Sequence, residues 1–457
     1  MSDKQTKPDL SGMSVEEKRA MLRKMLASRS GSPAAPKNAE PDDQRLADKV
    51  AELPDEYVNL EQMPELVTYH NQYRMFEQQN LQDPFFKVNE TITRDVTTVE
   101  GRELVSYASY NYLGYSGDSR VSDAAAEAIR RYGTSVSASR MVSGEKPLHK
   151  ALEREISELL GTEDALVLVS GHATNVTVIG HLYGPDDLIV FDSLSHNSIQ
   201  QGAALSGARC IPFPHNNTEA LENVLKKNRL QYRKVLIAIE GVYSVDGDIP
   251  DLHTFIELKK KYRTNLMVDE AHSLGVLGES GRGIREHFGV DAADVDIWMG
   301  TLSKTLASCG GYIGGAADLI HYLRCTVPGF MFSVGISPAN AAASLEVLRL
   351  MKSEQERVTR LQSNAAFFLE RAKASGLDTG LSKGSAVIPV ITGDSMKAVR
   401  LTNKLFECDV NVSPILFPAV AEEGARLRFF ITSEHTEDQM ADTLDKTRQI
   451  MNELEAM

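Results

Sequence analysis

Five apolar runs recur between residues 165 and 300, each followed by small or polar residues: ALVLV (165–169), DLIVF (187–191), KVLIAIEGV (234–242), NLMVDEA (265–271) and DIWMG (296–300). Most are continuous rather than alternating, the pattern of strands buried on both faces. Periodic stretches between them, such as 218–228 and 252–263, fit helices that cross from one parallel strand to the next. Few folds accept this order. It specifies an α/β fold with a mostly parallel sheet covered by helices, and ligands of such sheets sit at the carboxyl ends of the strands.

The stretch from Asn265 to Gly315 concentrates reactive residues at two such ends. One run delivers Asp269 and His272; the next leads to Thr301, Ser303 and Lys304, in a loop before Gly310 and Gly311. A lysine amine condenses with an aldehyde, and a carboxylate can keep a pyridine nitrogen protonated so that the ring withdraws electrons. An imidazole can hydrogen-bond a ring hydroxyl, and threonine and serine are small donors for a phosphate. Together these residues suit pyridoxal phosphate. Taken singly, a surface Lys304, a strand-end Asp269 and a helix-capping His272 account for them as well.

DEAHSLGVLGESGRG followed by GTLSKTLASCGGYIGG resembles the α-oxoamine synthase family of fold-type-I pyridoxal-phosphate enzymes, and the likeness runs over about residues 85–450. The resemblance implies a fold-type-I transferase: a large, mostly parallel-sheet domain and a smaller α+β C-terminal domain. It implies that Lys304 carries the cofactor and shuttles a proton at the substrate's α-carbon, while Asp269 faces the pyridine nitrogen. By the same match His272 and His196, the latter in DSLSHNSI, hold the ring. Glu240 and Ser244 of EGVYSVDGD lie near its edge. Ser170, Gly171 and His172 of SGHATN open a helix whose amides hold the phosphate, with Thr301 and Ser303 beside it.

Ser333, in VPGFMFSVGISPAN, is implied to reach across a homodimer to the partner's phosphate. Arg428, the second arginine of RLR, matches the residue that grips the amino acid's carboxylate, and Asn111 and Tyr112 of SYASYNYLG match a segment beside the substrate. Without the family, His196 reads as a capping or core histidine, Arg428 as a strand arginine paired with an acid, and Asn111 as part of a turn. The C-terminal run VNVSPILFPAVAEEGARLRFFITSEHT is nearer in pattern to members found in polyketide assembly lines than to biotin-pathway members.

The implied reaction is decarboxylative condensation of a small amino acid (alanine, serine or glycine) with an acyl thioester on coenzyme A or an acyl-carrier protein. An aminotransferase or lyase of the same fold would share Lys304 and Asp269. A non-catalytic carrier-protein interaction module would account only for the N-terminal segment. Two departures from the family pattern stand out. Ser135, Val136, Ser137 and Ala138 replace a run of glycines, and Gly335 replaces a serine. Bulk in place of glycine argues against an ordinary coenzyme A substrate and directs the expectation to a carrier protein.

At 457 residues the chain exceeds a single core. Residues 1–60 read as a helical and flexible appendage. Ser14 and Glu17 form a capping box before Leu22, Met25 and Leu26, a possible docking helix; SRSGSPAAPKNAEPDD follows, then a helical pattern over Gln44–Leu53. Residues 61–110, helical from 69 to 80, lead into the body. Residues 111–340 form the large domain, and 341–457 the small one, with a long helix near 340–374 and strands AVIPVIT and ARLRFFIT. The net charge of −14 argues against nucleic acid or an anionic membrane as partner. Four scattered cysteines without metal-ligand spacing read as core thiols; no secretory leader or transmembrane-length run is visible, and the cytoplasm is the expected compartment.

Overall fold

The computed structural model describes residues 43–456. Of these, 43–75 form one compact unit and 76–456 another. The first contains helices Asp43–Ala51 and Asp55–Val58 and most of the helix Pro64–Gln78, where the sequence predicts helices over 44–53 and 69–80. The expected docking helix near residues 14–26 lies outside the described residues.

In the second unit, β1 (Val96–Val99) and β2 (Arg102–Ser106) come first. A central sheet then uses β3 (Asp164–Leu168), β4 (Leu188–Asp192), β5 (Arg209–Phe213), β6 (Val235–Glu240), β7 (Asn265–Asp269), β8 (Ile297–Thr301) and β9 (Gly311–Gly315). The chain closes with β10 (Val387–Ile391), β11 (Val410–Asn411), β12 (Ser413–Ile415) and β13 (Arg426–Phe430). The central order is β3-β9-β8-β7-β6-β4-β5, with only β9 antiparallel to its neighbours.

All five predicted runs are strands of this sheet. Every residue of the central β6 is buried, and each fully buried Val, Leu or Ile stabilises the fold by roughly 1.5–3 kcal/mol. Because β3, β4, β6, β7 and β8 run the same way, their carboxyl ends meet along one edge of the sheet. Two strands escape the apolar-run reading. β9 is GYIGG, whose glycines resemble a loop; a Cβ on Gly311 would sit 2.5 Å from Thr174 Oγ1, so the close packing there admits only glycine. β5 contains Pro212 and lies at the sheet edge, where a missing N–H is tolerated.

Three expectations are corrected. The helix near 340–374 is two helices, Pro338–Ser353 and Glu356–Ala374. The first crosses the expected boundary at 340 and packs on Ser119–Tyr132 and Pro147–Leu160, inside the large body. The segment 61–110 is not merely a lead-in, since β2 pairs in parallel with β11, Val105 opposite Val410. Nor are the cysteines core thiols: Cys309 and Cys325 are exposed, and Cys210 and Cys408 half-buried. Among the described residues no helix is long and apolar enough to cross a membrane.

Candidate active site

A cavity of about 400 Å³ opens along that edge of the sheet, within the range of small-molecule sites. Each wall traces to a strand end. β3 leads into the helix Gly171–Leu182, capped by Ser170, whose Oγ accepts the amide of Ala173 at 3.3 Å. Gly171 and His172 open the helix, where the first amides have no partner within it, and both line the cavity. A Cβ on Gly171 would lie 2.7 Å from Thr301 Oγ1, so glycine lets helix and strand meet there. β8 ends in Thr301, with Ser303 and Lys304 beyond; the Thr301 hydroxyl accepts the amide of Ser303 at 3.1 Å.

Asp269, at the end of β7, is buried. Its Oδ1 accepts the amide of Ala271 at 2.9 Å, and its Oδ2 accepts Asn175 Nδ2 at 2.8 Å. Glu240, at the end of β6, is also buried and accepts the amide of His196 at 2.5 Å. Burial, reinforced by the Asp269 carboxylate, raises the Glu240 pKa to about 8. Burial lowers the Lys304 amine to about 8, with Asp269 and Glu240 opposing that fall. His272 is buried and held well below its usual pKa by desolvation, then by Lys304 and Arg428. It therefore stays neutral and shares a 2.7 Å hydrogen bond through Nδ1 with the Tyr112 hydroxyl.

Arg428 comes from β13. Its Nη1 donates to the carbonyl of Ser244 at 2.9 Å, and its guanidinium carbon lies 4.5 Å from the Phe430 ring centre. No ion pair joins it to a carboxylate among the described residues, and its Nε is buried without a partner. The expected alternative, a strand arginine bound to an acid, describes Arg426 instead: its Nη1 holds Asp246 at 2.5 Å. Arg428 thus brings to the cavity a cation that no carboxylate of the described residues pairs with.

Of the residues expected from sequence, Ser170, Gly171, His172, His196, Glu240, Ser244, Asp269, His272, Thr301, Ser303, Lys304 and Arg428 all line the cavity. His196 does so while also capping the helix Asn197–Ser206. Asn111 and Tyr112 do not line it, which corrects their expected place beside the substrate. Asn111 is buried and bonds the Thr93 carbonyl and the Ser116 amide; Tyr112 lies behind His272. Tyr110 takes that place, with Lys304 Nζ 5.6 Å from its ring centre. Ser333 also lies outside the cavity of its own chain.

Sequence reasoning missed Tyr110, Asn175 and Ser198. Asn175 was findable, since it stands four residues after Gly171 and so on the same helix face.

At Ser135–Ala138 the missing glycines leave a trace. Ser137 takes a left-handed conformation, φ +52°, and Val136 is buried. A Cβ on Gly335 would lie 3.0 Å from Val136 Cγ2 and 2.7 Å from Arg140 Cγ. The two departures from the family pattern touch each other.

The donor set fits pyridoxal phosphate: helix-start amides with Ser303 for a phosphate, Lys304 for an aldehyde and Asp269 for a ring nitrogen. The class I and II aminotransferase profile matches residues 102–446. An 8-amino-7-oxononanoate synthase of Thermoanaerobacter pseudethanolicus is 37% identical over 356 residues, 78% of this chain and 90% of that one. The chain belongs to the α-oxoamine synthase family. Among solved structures, SPT with PLP aligns at TM-score 0.82 and 27% identity, covering 87% of this chain and 100% of that one. Sphingomonas wittichii serine palmitoyltransferase aligns at 0.83 and 28%, covering 87% and 99%. Like its family, this α-oxoamine synthase is a fold-type-I acyltransferase whose cofactor is pyridoxal 5′-phosphate.

Proposed function

We propose that the protein condenses alanine, serine or glycine with an acyl group carried as a thioester on an acyl-carrier protein, releasing carbon dioxide and the free thiol and leaving an α-amino ketone. The observation that carries this reading is the meeting at one cavity of Lys304, Asp269 and an Arg428 that no carboxylate of the described residues pairs with. Pyridoxal phosphate, when bound, supplies the electron sink that makes the amino acid's α-carbon acidic. Asp269, fixed by Asn175 and the Ala271 amide, would hold the pyridine nitrogen protonated. Arg428 binds the α-carboxylate through a charge-assisted contact in a largely dry wall. Lys304, with a pKa near neutrality, takes and returns the α-proton. A carbon–carbon bond then forms to the thioester carbonyl as the carbon–sulfur bond breaks, and the carboxylate leaves as carbon dioxide.

The carrier-protein assignment is supported by the side chains at 135–138. Ser333 is half-buried between exposed Phe332 and Val334, away from its own cavity, which suits a contact to a second subunit's phosphate in a cytoplasmic homodimer. The test is a visible-absorbance titration of the holoenzyme with alanine, serine and glycine. Acyl-coenzyme A or acyl-carrier protein is then added, and carbon dioxide and free thiol are measured. Thiol and carbon dioxide in equal amounts are expected with the carrier-bound substrate. Amino transfer to a keto acid without carbon dioxide would establish the aminotransferase reading instead. Lys304→Ala is expected to lose turnover with every substrate pair.

A further inference from the structure

The helix Asn197–Ser206 starts at His196, whose Nδ1 accepts the Ser198 amide at 3.2 Å. The Ser198 hydroxyl lies 2.7 Å from the same Nδ1. That hydroxyl also accepts a hydrogen from Asn175 Nδ2 at 2.9 Å, and the second Nδ2 hydrogen goes to Asp269 Oδ2 at 2.8 Å. Turning the Asn175 amide over would set its carbonyl oxygen against a carboxylate, so both of its hydrogens are committed. Ser198 must then give its one hydrogen to His196. With an amide and a hydroxyl both aimed at Nδ1, the ring's own hydrogen sits on Nε2. Asn175 and Ser198 are each about 1% exposed, so the bonds from Asn175 to Ser198 and to Asp269 are shielded from bulk water.

We infer that Asn175 and Ser198 are positioning residues that lock His196 as the neutral Nε2–H tautomer, fixed in orientation by the same carboxylate, Asp269, that serves the cofactor ring. The chain of bonds runs from Asp269 through Asn175 and Ser198 to His196, across three different elements of the fold. Its consequence is chemical. The cavity wall offers an N–H donor at His196, where the other tautomer would offer a lone pair, and only the donor suits an anionic substrate oxygen.

The charged and titratable groups around the ring act in the same sense, with one exception. Glu240 holds the His196 amide rather than its ring. Although one side of the imidazole is open to solvent, packing on the other lowers its pKa; Asp269 opposes this, and Lys304, His172 and Arg428 add to the lowering.

The donor's purpose rests on the proposed reaction, but the test needs only bound cofactor. The visible absorbance of the holoenzyme is titrated with acid for the wild type, Ser198→Ala, Asn175→Ala and the double variant. Removing the hydroxyl donor leaves Nδ1 only the longer 3.2 Å contact of the residue-198 amide, so Ser198→Ala moves the acid-side transition upward by about one pH unit, a tenfold gain in proton affinity. Asn175→Ala moves it the same way by less, since the hydroxyl is then free to turn. The double variant matches Ser198→Ala, because the two residues act in series. An unmoved transition in Ser198→Ala, or shifts that add in the double variant, would overturn the lock. A protein that binds the cofactor but turns over no thioester fails the proposed reaction and leaves this titration fully readable.

Discussion

Replacing His215 should cost stability in a strongly pH-dependent way. Its Nδ1–H donates to Asp192 at 2.8 Å and its Nε2–H to Asp248 at 2.9 Å, and both carboxylates are buried. Asp192 ends β4, before the turn that carries His196; Asp248 closes the turn that carries Ser244. A cation between two buried carboxylates is thereby pinned across two walls of the site. Burial alone would lower the imidazole's pKa, but the two aspartates outweigh it and raise the pKa from 6.5 to about 10. A group raised on folding contributes fully below its unfolded pKa and loses that contribution as pH climbs through its folded one. At 1.36 kcal/mol per unit, the linkage is about 4 kcal/mol at pH 7 and about 1 kcal/mol at pH 9. The His215 side chain is only 12% exposed, so solvent screening takes little from this. His215→Gln keeps polarity and approximate size without the charge. Urea unfolding of the holoenzyme, followed by tryptophan fluorescence from the buried Trp298, should show a gap between wild type and variant that narrows by roughly 2–3 kcal/mol between pH 7 and pH 9. A gap of equal size at both pH values would refute the charged-clamp reasoning.

Other consequences are open to simpler assays. The apoprotein should take up pyridoxal phosphate faster as pH rises toward about 8 and then level off, because only the neutral Lys304 amine reacts; stopped-flow absorbance reads this. Arg428→Ala should raise the KM for the amino acid roughly 10- to 100-fold, the value of a hydrogen bond to a charged group, while cofactor affinity is unchanged by equilibrium dialysis. Asp269→Asn keeps the shape and loses the charge, so kcat should fall much further than pyridoxal phosphate binding; an undiminished rate would mean that the ring nitrogen is protonated by another group.

The sheet was legible in sequence because its strands are buried on both faces and therefore write themselves as unbroken apolar runs. β9 was hidden because the same burial, next to Thr174 and the helix that starts at Gly171, demands glycine, and glycine reads as loop. At the site, residues with distinctive chemistry (Lys304, Asp269, His272, Arg428) were visible from position and family pattern alone. Asn175 and Ser198 were not, since their work is done through other side chains and depends on two helices meeting. Asn111 and Tyr112 show the converse limit: the motif placed the right loop beside the cavity, but which of three adjacent residues faces it was settled by packing. Tyr112 buries its ring and spends its hydroxyl on His272, and the exposed side of the turn falls to Tyr110.

The contact between Val136 and Gly335 bears on how this enzyme can be rebuilt from its relatives. Arg140, the other wall around Gly335, is held by Glu145 and Glu153. A side chain added at 335 alone would crowd both neighbours, and trimming Val136 alone would leave a void beside a residue that has no side chain to fill it. Segments 135–140 and 330–336 therefore travel as one cassette. A chimera that takes either segment from another synthase keeps this packing only if it takes both.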